Sequence, residues 1–378
     1  MNTRLLALLL LCGPAMAAEP AAPKAPAAPV SPPKVAPIPA DTQWHDVTQW
    51  GVEGRGWEKE ERKRWFDRLP AKAEGKVTPA VWGLSHDSAG MMVRFKTDAT
   101  SIFARYKLSK ASLAVTAMPA TGVSGLDLYA RDEKGHWRWV MVTKPDKQNV
   151  ETLIQGGLTP GAREYCAYLP LYNGVESLEI GVPKGANFEG LAPRSEKPVI
   201  FYGTSITHGA DASRPGMVHT AILGRRLEMP VMNLGFSGNG RMDAAVGELL
   251  CEQDASAYVI DCLPNMGPAD VTAKCEPLVK QLRAAKPETP IVLVEDRRNT
   301  NSWITPARDK FHTDNHAALK AAYERLKAAG VAKLFYIGGD HLYGDDADGA
   351  TDGSHASDLG FMRQADIFEP VLREALGR

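Results

Sequence analysis

Residues 198–207 read Pro198-Val199-Ile200-Phe201-Tyr202-Gly203-Thr204-Ser205-Ile206-Thr207. A compact apolar run ends in a glycine-led turn, and the chain beyond it reads as helix. A serine on such a turn has its hydroxyl exposed, near backbone N–H groups and the positive end of the helix. The motif is not Gly-x-Ser-x-Gly, because Thr207 occupies the fifth place, which argues against the α/β-hydrolase elbow. Alone, a serine in a tight turn is more often a helix cap, so the rest of the chain decides its meaning.

Downstream, the texture repeats. Residues 198–202, 231–236, 257–263, 291–295 and 333–337 are compact apolar strands, each followed by a helix-like stretch. The clearest of these covers 316–329, with apolar positions at three- and four-residue steps. Alternating βα units imply a parallel sheet covered on both faces, with ligands beyond the carboxyl ends of its strands. After the second strand comes Gly235-Phe236-Ser237-Gly238-Asn239-Gly240, whose glycines let backbone approach a ligand closely. The spacing is not Gly-x-Gly-x-x-Gly, so a nucleotide loop is not expected. After the third strand comes Pro264-Asn265-Met266. There Asn265 either caps the next helix or donates its amide N–H to an oxyanion. Before the last helix comes Asp352-Gly353-Ser354-His355, a spacing that lets the carboxylate meet the imidazole and fix its tautomer.

The N-terminal half differs. Arg4, an apolar run over 5–11 too short to span a bilayer, and Ala15-Met16-Ala17 read as a signal peptide over 1–17, cleaved near Ala17. A lipoprotein at Cys12 would need a small residue where Leu11 stands. Residues 18–40, nearly all Ala, Pro and Lys, form a spacer that cannot bury a core. Residues 41–193 read as β, with strands at 91–95, 102–108, 126–130, 137–142 and 178–182 and one helix over 59–69. A β-sandwich is expected. Seven of the eight tryptophans lie before residue 140. They are read as filling the sandwich core or a domain interface rather than as a sugar platform. The second domain spans 197–378.

With these blocks in view, residues 198–376 resemble the SGNH (GDSL) hydrolase superfamily. The resemblance rests on Ser205, on Gly238 within 233–239, on Asn265, and on Asp352 with His355. Gly125-Leu126-Asp127-Leu128-Tyr129 resembles the Gly-x-Asp-Leu-Tyr signature of a β-rich leader domain in one secreted bacterial branch. The resemblance implies a flavodoxin-like, three-layer α/β domain with sheet order 2-1-3-4-5. It implies that Ser205 attacks an ester carbonyl, that His355 takes its proton and that Asp352 orients His355. Backbone N–H groups of Ser205 and Gly238 and the Asn265 amide then hold the oxyanion. This chain has Gly-Thr-Ser-Ile where the superfamily often has Gly-Asp-Ser-Leu, and Leu263-Pro264-Asn265-Met266 where Gly-x-Asn-Asp is common. Neither departure removes a catalytic group, but neither allows substrate preference to be transferred.

His208, Asp211 and Arg214, just beyond the nucleophile, are candidate substrate contacts; Asp211 could equally cap a helix. His312 and His316 are four apart, but Thr313 stands where a zinc hydrolase needs Glu, and residues 340–352 fail the EF-hand frame. No metal and no cofactor are expected. Cys166, Cys251, Cys262 and Cys275 allow a disulfide or free thiols, with no pairing legible. A formal net charge of −1 gives no reason to expect nucleic acid or an anionic membrane as partner. The function expected is a secreted or periplasmic serine esterase on small-molecule or polysaccharide esters, with acetyl or short acyl groups on carbohydrate foremost. Against it stand a lipase or thioesterase on longer chains, and a carbohydrate-binding protein on a dead scaffold.

Overall fold

The structure is a computed structural model that describes residues 37–378. The signal peptide expected over 1–17, and the spacer over 18–40 up to residue 36, lie outside the described residues. No helix among the described residues is long and apolar enough to cross a membrane.

The N-terminal part is built from β1 (Gln43–Asp46), β2 (Met92–Thr97), β3 (Ser101–Leu108), β4 (Asp127–Arg131), β5 (Trp137–Val142), β6 (Asn149–Gly156), β7 (Arg163–Tyr168), β8 (Val175–Val182) and β9 (Phe188–Leu191), with short helices α1 (Pro79–Leu84) and α2 (Ala120–Val123). The strands form two antiparallel sheets of order β1-β8-β3-β6 and β5-β4-β7-β2-β9. Val93, Phe95, Ile102, Ala104, Leu128, Ala167 and Ile180 fill the space between them, as in a sandwich. Of the seven early tryptophans only Trp139 is strongly exposed, while Trp57 and Trp82 are buried against the second half of the chain.

The helix expected over 59–69 is not formed; the segment is a series of turns. Its apolar residues are confined to Trp65, Phe66 and Leu69, so the turns before them, residues 59–64, have no apolar side chain to bury. Side chains take over backbone acceptors instead: Arg62 donates to Asp67 O at 2.8 Å and Arg68 to Leu84 O at 2.7 Å.

The C-terminal part carries β10 (Val199–Gly203), α3 (Ser205–His208), α4 (His219–Leu227), β11 (Val231–Gly235), α5 (Ala244–Glu252), β12 (Ala257–Asp261), α6 (Pro268–Ala285), β13 (Ile291–Val294), α7 (Pro306–Ala328), β14 (Leu334–Ile337) and α8 (Asp358–Leu376). The five strands pair in parallel in the order β11-β10-β12-β13-β14, which is 2-1-3-4-5. Ile200, Tyr202, Tyr258, Ile260 and Leu293 pack on one side with Leu249, Leu278 and Leu319. Val199, Phe201, Val259, Val292 and Val294 pack on the other with Leu223, Phe361 and Phe368. Helices cover both faces, so each strand is apolar at successive positions. Cys166, Cys251, Cys262 and Cys275 are free thiols.

Candidate active site

Every strand end named above opens on the same edge of the parallel sheet. Thr204 caps α3, its side chain accepting from Ile206 N–H at 3.3 Å, and Gly209, at φ 111°, ends the helix after one turn. This places Ser205 at the first helical position. Its Oγ lies 2.8 Å from His355 Nε2. His355 Nδ1 lies 2.7 Å from Asp352 Oδ2, while Asp352 Oδ1 accepts the backbone N–H groups of Ser354 at 2.9 Å and His355 at 2.7 Å. Gly353, at φ 90°, makes the left-handed bend that folds His355 back onto Asp352. Burial works to raise the Asp352 pKa, but the hydrogen bonds from His355 and Ser354 outweigh it and the net shift is downward. An ionised Asp352 keeps the proton on Nδ1, which leaves Nε2 free to accept from Ser205.

The glycine block runs close under this turn. Phe236 N–H donates to Gly203 O at 2.9 Å, and a Cβ at Gly240 would collide with that same carbonyl. Gly238 adopts φ 71°. Neither its N–H nor that of Ser205 donates to a protein acceptor among the described residues. Assigned by its hydrogen bonds, the Asn265 amide has its oxygen accepting from Asn239 N–H at 3.1 Å and Gly240 N–H at 3.3 Å, which leaves its NH2 on the opposite side. Three unspent donors, two from backbone and one from an amide held by the neighbouring loop, therefore belong to the segments around the serine.

The three candidate contacts beyond the nucleophile separate. Asp211 is brought to the site. It adopts a left-handed φ of 67°, its Oδ2 is buried without a hydrogen-bond partner, and one of its oxygens lies within 4.8 Å of ligand atoms of both Asp352 and His355. Burial raises its pKa; the His355 charge opposes this, and the Asp352 charge adds a smaller upward push. His208 is not brought there. It is fully buried, its Nε2 lies 2.7 Å from Leu171 O, and its ring stacks on Tyr172 at 4.1 Å. Burial holds its pKa well below the usual histidine value, with the Arg68 charge adding to this. Arg214 turns away from the serine into the β-domain, donating to Asp127 Oδ2 at 3.1 Å and to the Tyr129 hydroxyl. Both placements have the same cause: the sandwich packs against the segment that follows Ser205, and the side chains that face it become anchors.

That packing explains the Gly-x-Asp-Leu-Tyr signature. Asp127 is fully buried and accepts from Arg214, from Gly216 N–H at 2.8 Å and from Trp139 Nε1 at 2.8 Å. Two further residues escaped the sequence. Arg68, 1% exposed, donates to Asn233 O at 3.1 Å and Gly235 O at 2.8 Å, holding the strand that leads into the glycine block. The Tyr172 hydroxyl donates to Ser205 O at 3.4 Å. No local pattern marks either one, because the site segments they hold, Asn233–Gly235 and Ser205, lie over 30 residues away.

His312 and His316 share a face of α7 and meet Asp296. His312 Nδ1 lies 2.6 Å from Asp296 Oδ2, and its Nε2 accepts Asn299 N–H at 3.1 Å. His316 Nε2 points between the carbonyl and Oδ1 of Asp296, both at 2.8 Å, with Nδ1 3.3 Å from Glu295 Oε2. With acceptors at both ring nitrogens, His316 is set up as an imidazolium. Burial works to lower its pKa, but the contact and charge of Asp296, and the charge of Glu295, raise it overall. The folded state then binds that proton more tightly than the unfolded chain. The resulting stabilisation is complete below about pH 6.5, the unfolded value, and is lost as pH rises through the folded value. The melting-temperature gap between the wild type and His316→Gln is expected to shrink in thermal scans from about pH 6 to about pH 9; a gap that widens over this range would refute the ion-pair assignment.

Comparison with known proteins bears on the family and the fold. The GDSL-like lipase/acylhydrolase family model matches residues 196–373. Residues 42–188 match the GxDLY model, the N-terminus of the SGNH-hydrolase type of esterase. A Bacteroides ovatus protein named as a GDSL-like lipase is 29% identical at a TM-score of 0.83, covering 89% of this chain and 98% of its own. A salicylyl-acyltransferase from a tetracycline biosynthetic pathway is 20% identical at a TM-score of 0.70, covering 90% and 99%. An acetyl xylan esterase from Butyrivibrio proteoclasticus shares the fold at 9% identity and a TM-score of 0.53, covering 89% and 99%. None of the curated proteins compared matches the chain.

Proposed function

This chain belongs to the GDSL-like lipase/acylhydrolase family, with the N-terminal domain of SGNH-type esterases ahead of its hydrolase domain, and from that membership we propose that it is a secreted or periplasmic serine esterase removing acetyl or other short acyl groups from carbohydrate. The observation that carries the reading is the unbroken relay from Ser205 Oγ through His355 to Asp352, at 2.8 and 2.7 Å.

In the first step the Ser205 hydroxyl attacks the acyl carbonyl carbon and its proton passes to His355 Nε2. The carbonyl oxygen gains negative charge and is held by the Ser205 and Gly238 N–H groups and the Asn265 amide. His355 then protonates the departing alcohol, leaving an acyl group on Ser205. A water molecule, deprotonated by His355, attacks the acyl carbon and releases the acid with Ser205 restored. The leader-like N-terminus and the Ala/Pro spacer support an extracytoplasmic setting. Structures that share the fold include carbohydrate esterases, which is the reason to try sugar esters first.

The test is acetate release from a panel of acetylated oligosaccharides, run beside covalent labelling with a fluorophosphonate. The expected result is acetate from at least one glycan, with the label on Ser205 and activity abolished. Label on another residue with activity lost would remove Ser205 as nucleophile. Turnover confined to long-chain acyl esters would replace the substrate class.

A further inference from the structure

The loop after β13 carries the most exposed large apolar side chains among the described residues. Trp303 is 77% exposed and Ile304 is 62% exposed. Both stand in a short 3-10 turn, Ser302–Ile304. Burying side chains of this size is favourable, so two adjacent ones left in water offer a ready contact surface.

The position of the loop says which. β13 lies between β12, whose end carries Asn265, and β14, which leads to the Asp352–His355 loop. Thr300 N–H donates to Gly353 O at 2.9 Å, and a Cβ on Gly353 would lie 3.7 Å from the Asn301 amide nitrogen. The loop with Trp303 is thus joined directly to the segment between the catalytic carboxylate and the catalytic imidazole.

The loop is also held from below. Asp296 fixes His312, and His312 Nε2 takes Asn299 N–H at 3.1 Å. Arg298 is tied to Asp340 at 2.6 Å and to Asp309 at 2.8 Å. The buried pairing of Asp296 with His312 of α7 therefore serves as an anchor for the loop that displays the indole. An aromatic surface ordered before substrate arrives is what low-cost binding requires.

We propose that Trp303 is the leaving-group subsite of this esterase, its exposed indole face stacking on the pyranose ring that carries the ester. This rests on the carbohydrate-ester function proposed above. A pyranose offers a flat face of C–H groups to an aromatic ring while its hydroxyls remain in water. A flat indole in open solvent suits that shape. An acyl chain would instead call for a concave apolar channel.

The test compares the wild type with Trp303→Ala and Trp303→Phe on two acetyl esters, an acetylated methyl xyloside and ethyl acetate, which has no ring to stack. At 77% exposure the side chain is not needed for folding, and a melting scan checks this. The preference for the xyloside, as a ratio of kcat/KM values, is expected to fall about tenfold in Trp303→Ala, chiefly through KM, and to recover in large part in Trp303→Phe. A second readout needs no turnover. Ser205→Ala is titrated with unacetylated xylohexaose by calorimetry, and its binding should weaken about tenfold when Trp303→Ala is added. An unchanged ratio with unchanged xylohexaose binding would overturn the subsite and leave the esterase assignment standing. A loss that falls on p-nitrophenyl octanoate rather than on the xyloside would also overturn it, assigning the indole to the acyl side. Failure of the wild type to cleave any acetylated sugar would remove the proposed function, and absent xylohexaose binding would then remove the subsite separately.

Discussion

Replacing His355 with alanine is expected to lower turnover by a factor of about 10⁴–10⁶ while the protein stays folded. Among the described residues, the imidazole is the only group in hydrogen-bond contact with Ser205 Oγ, at 2.8 Å. Without it the hydroxyl keeps its proton, and a neutral hydroxyl is a poor nucleophile. The leaving alcohol also loses its acid. Little else depends on the ring. The loop is shaped by Asp352 Oδ1 accepting two backbone N–H groups, and α8 starts from its own cap at Ser357, whose side chain accepts from Gly360 N–H. The variant should therefore melt within a few degrees of the wild type, and steady-state turnover of the folded protein is the quantity to read. Asp352→Asn should cost less, because the Ser205–His355 contact survives it and the Asp211 carboxyl stands within 4.8 Å. Full activity in His355→Ala would end the relay assignment.

How much of this was legible depended on how far each signal reached along the chain. The five parallel strands were readable because both of their faces are buried, which makes each a continuous apolar run. Val199–Gly203 is buried at every position. The sandwich was read less completely. β1, β6 and β9 escaped notice, and all three are edge strands. Asn149–Gly156 alternates only weakly in burial, as an edge half open to water does. β7 is central but begins with Arg163 and Glu164, which masked it. At the site, Asp352 and His355 were readable because three residues separate them. Asn265, Gly238 and Ser205 were readable because each follows an apolar strand. His208 and Arg214 are not brought to the serine because nearness in sequence to Ser205 does not fix side-chain direction, and their partners, Leu171 and Asp127, belong to the other domain. Arg68 was invisible for the same reason. Its four backbone acceptors lie in Leu84, Asp87, Asn233 and Gly235, a set that exists only once the sandwich is seated on the hydrolase layer.

Asn265→Ala is expected to lower turnover by about 10²–10³-fold with little change in melting temperature. Two roles compete for this side chain, and the structure separates what each requires. A capping asparagine accepts, through its oxygen, from N–H groups at the start of the helix that follows. The helix after Asn265 is α6, which begins at Pro268, and its cap residue is Gly267, with no side-chain cap bond. The Asn265 oxygen is engaged elsewhere, with Asn239 and Gly240 of the glycine block. That engagement does two things. It locks the amide plane against rotation, and it presents the NH2 rather than the oxygen on the remaining side. β10, which leads to the serine, pairs with β12 on one side and β11 on the other, so Asn265 and Gly238 reach the nucleophile from opposite flanks. A donor fixed in advance forms a stronger hydrogen bond as charge develops on the carbonyl oxygen, which is the condition for acceleration rather than tighter ground-state binding. Losing one such donor costs about 2.7–4 kcal/mol of transition-state stabilisation, whereas losing a cap costs about 0.5–2 kcal/mol of folding stability. The measurement is kcat per active site, counted by fluorophosphonate titration, beside a thermal scan. The oxyanion role requires the first to fall and the second to hold. If melting drops while kcat per titrated site is kept, Asn265 only braces the glycine block, and the oxyanion is held by the Ser205 and Gly238 N–H groups alone.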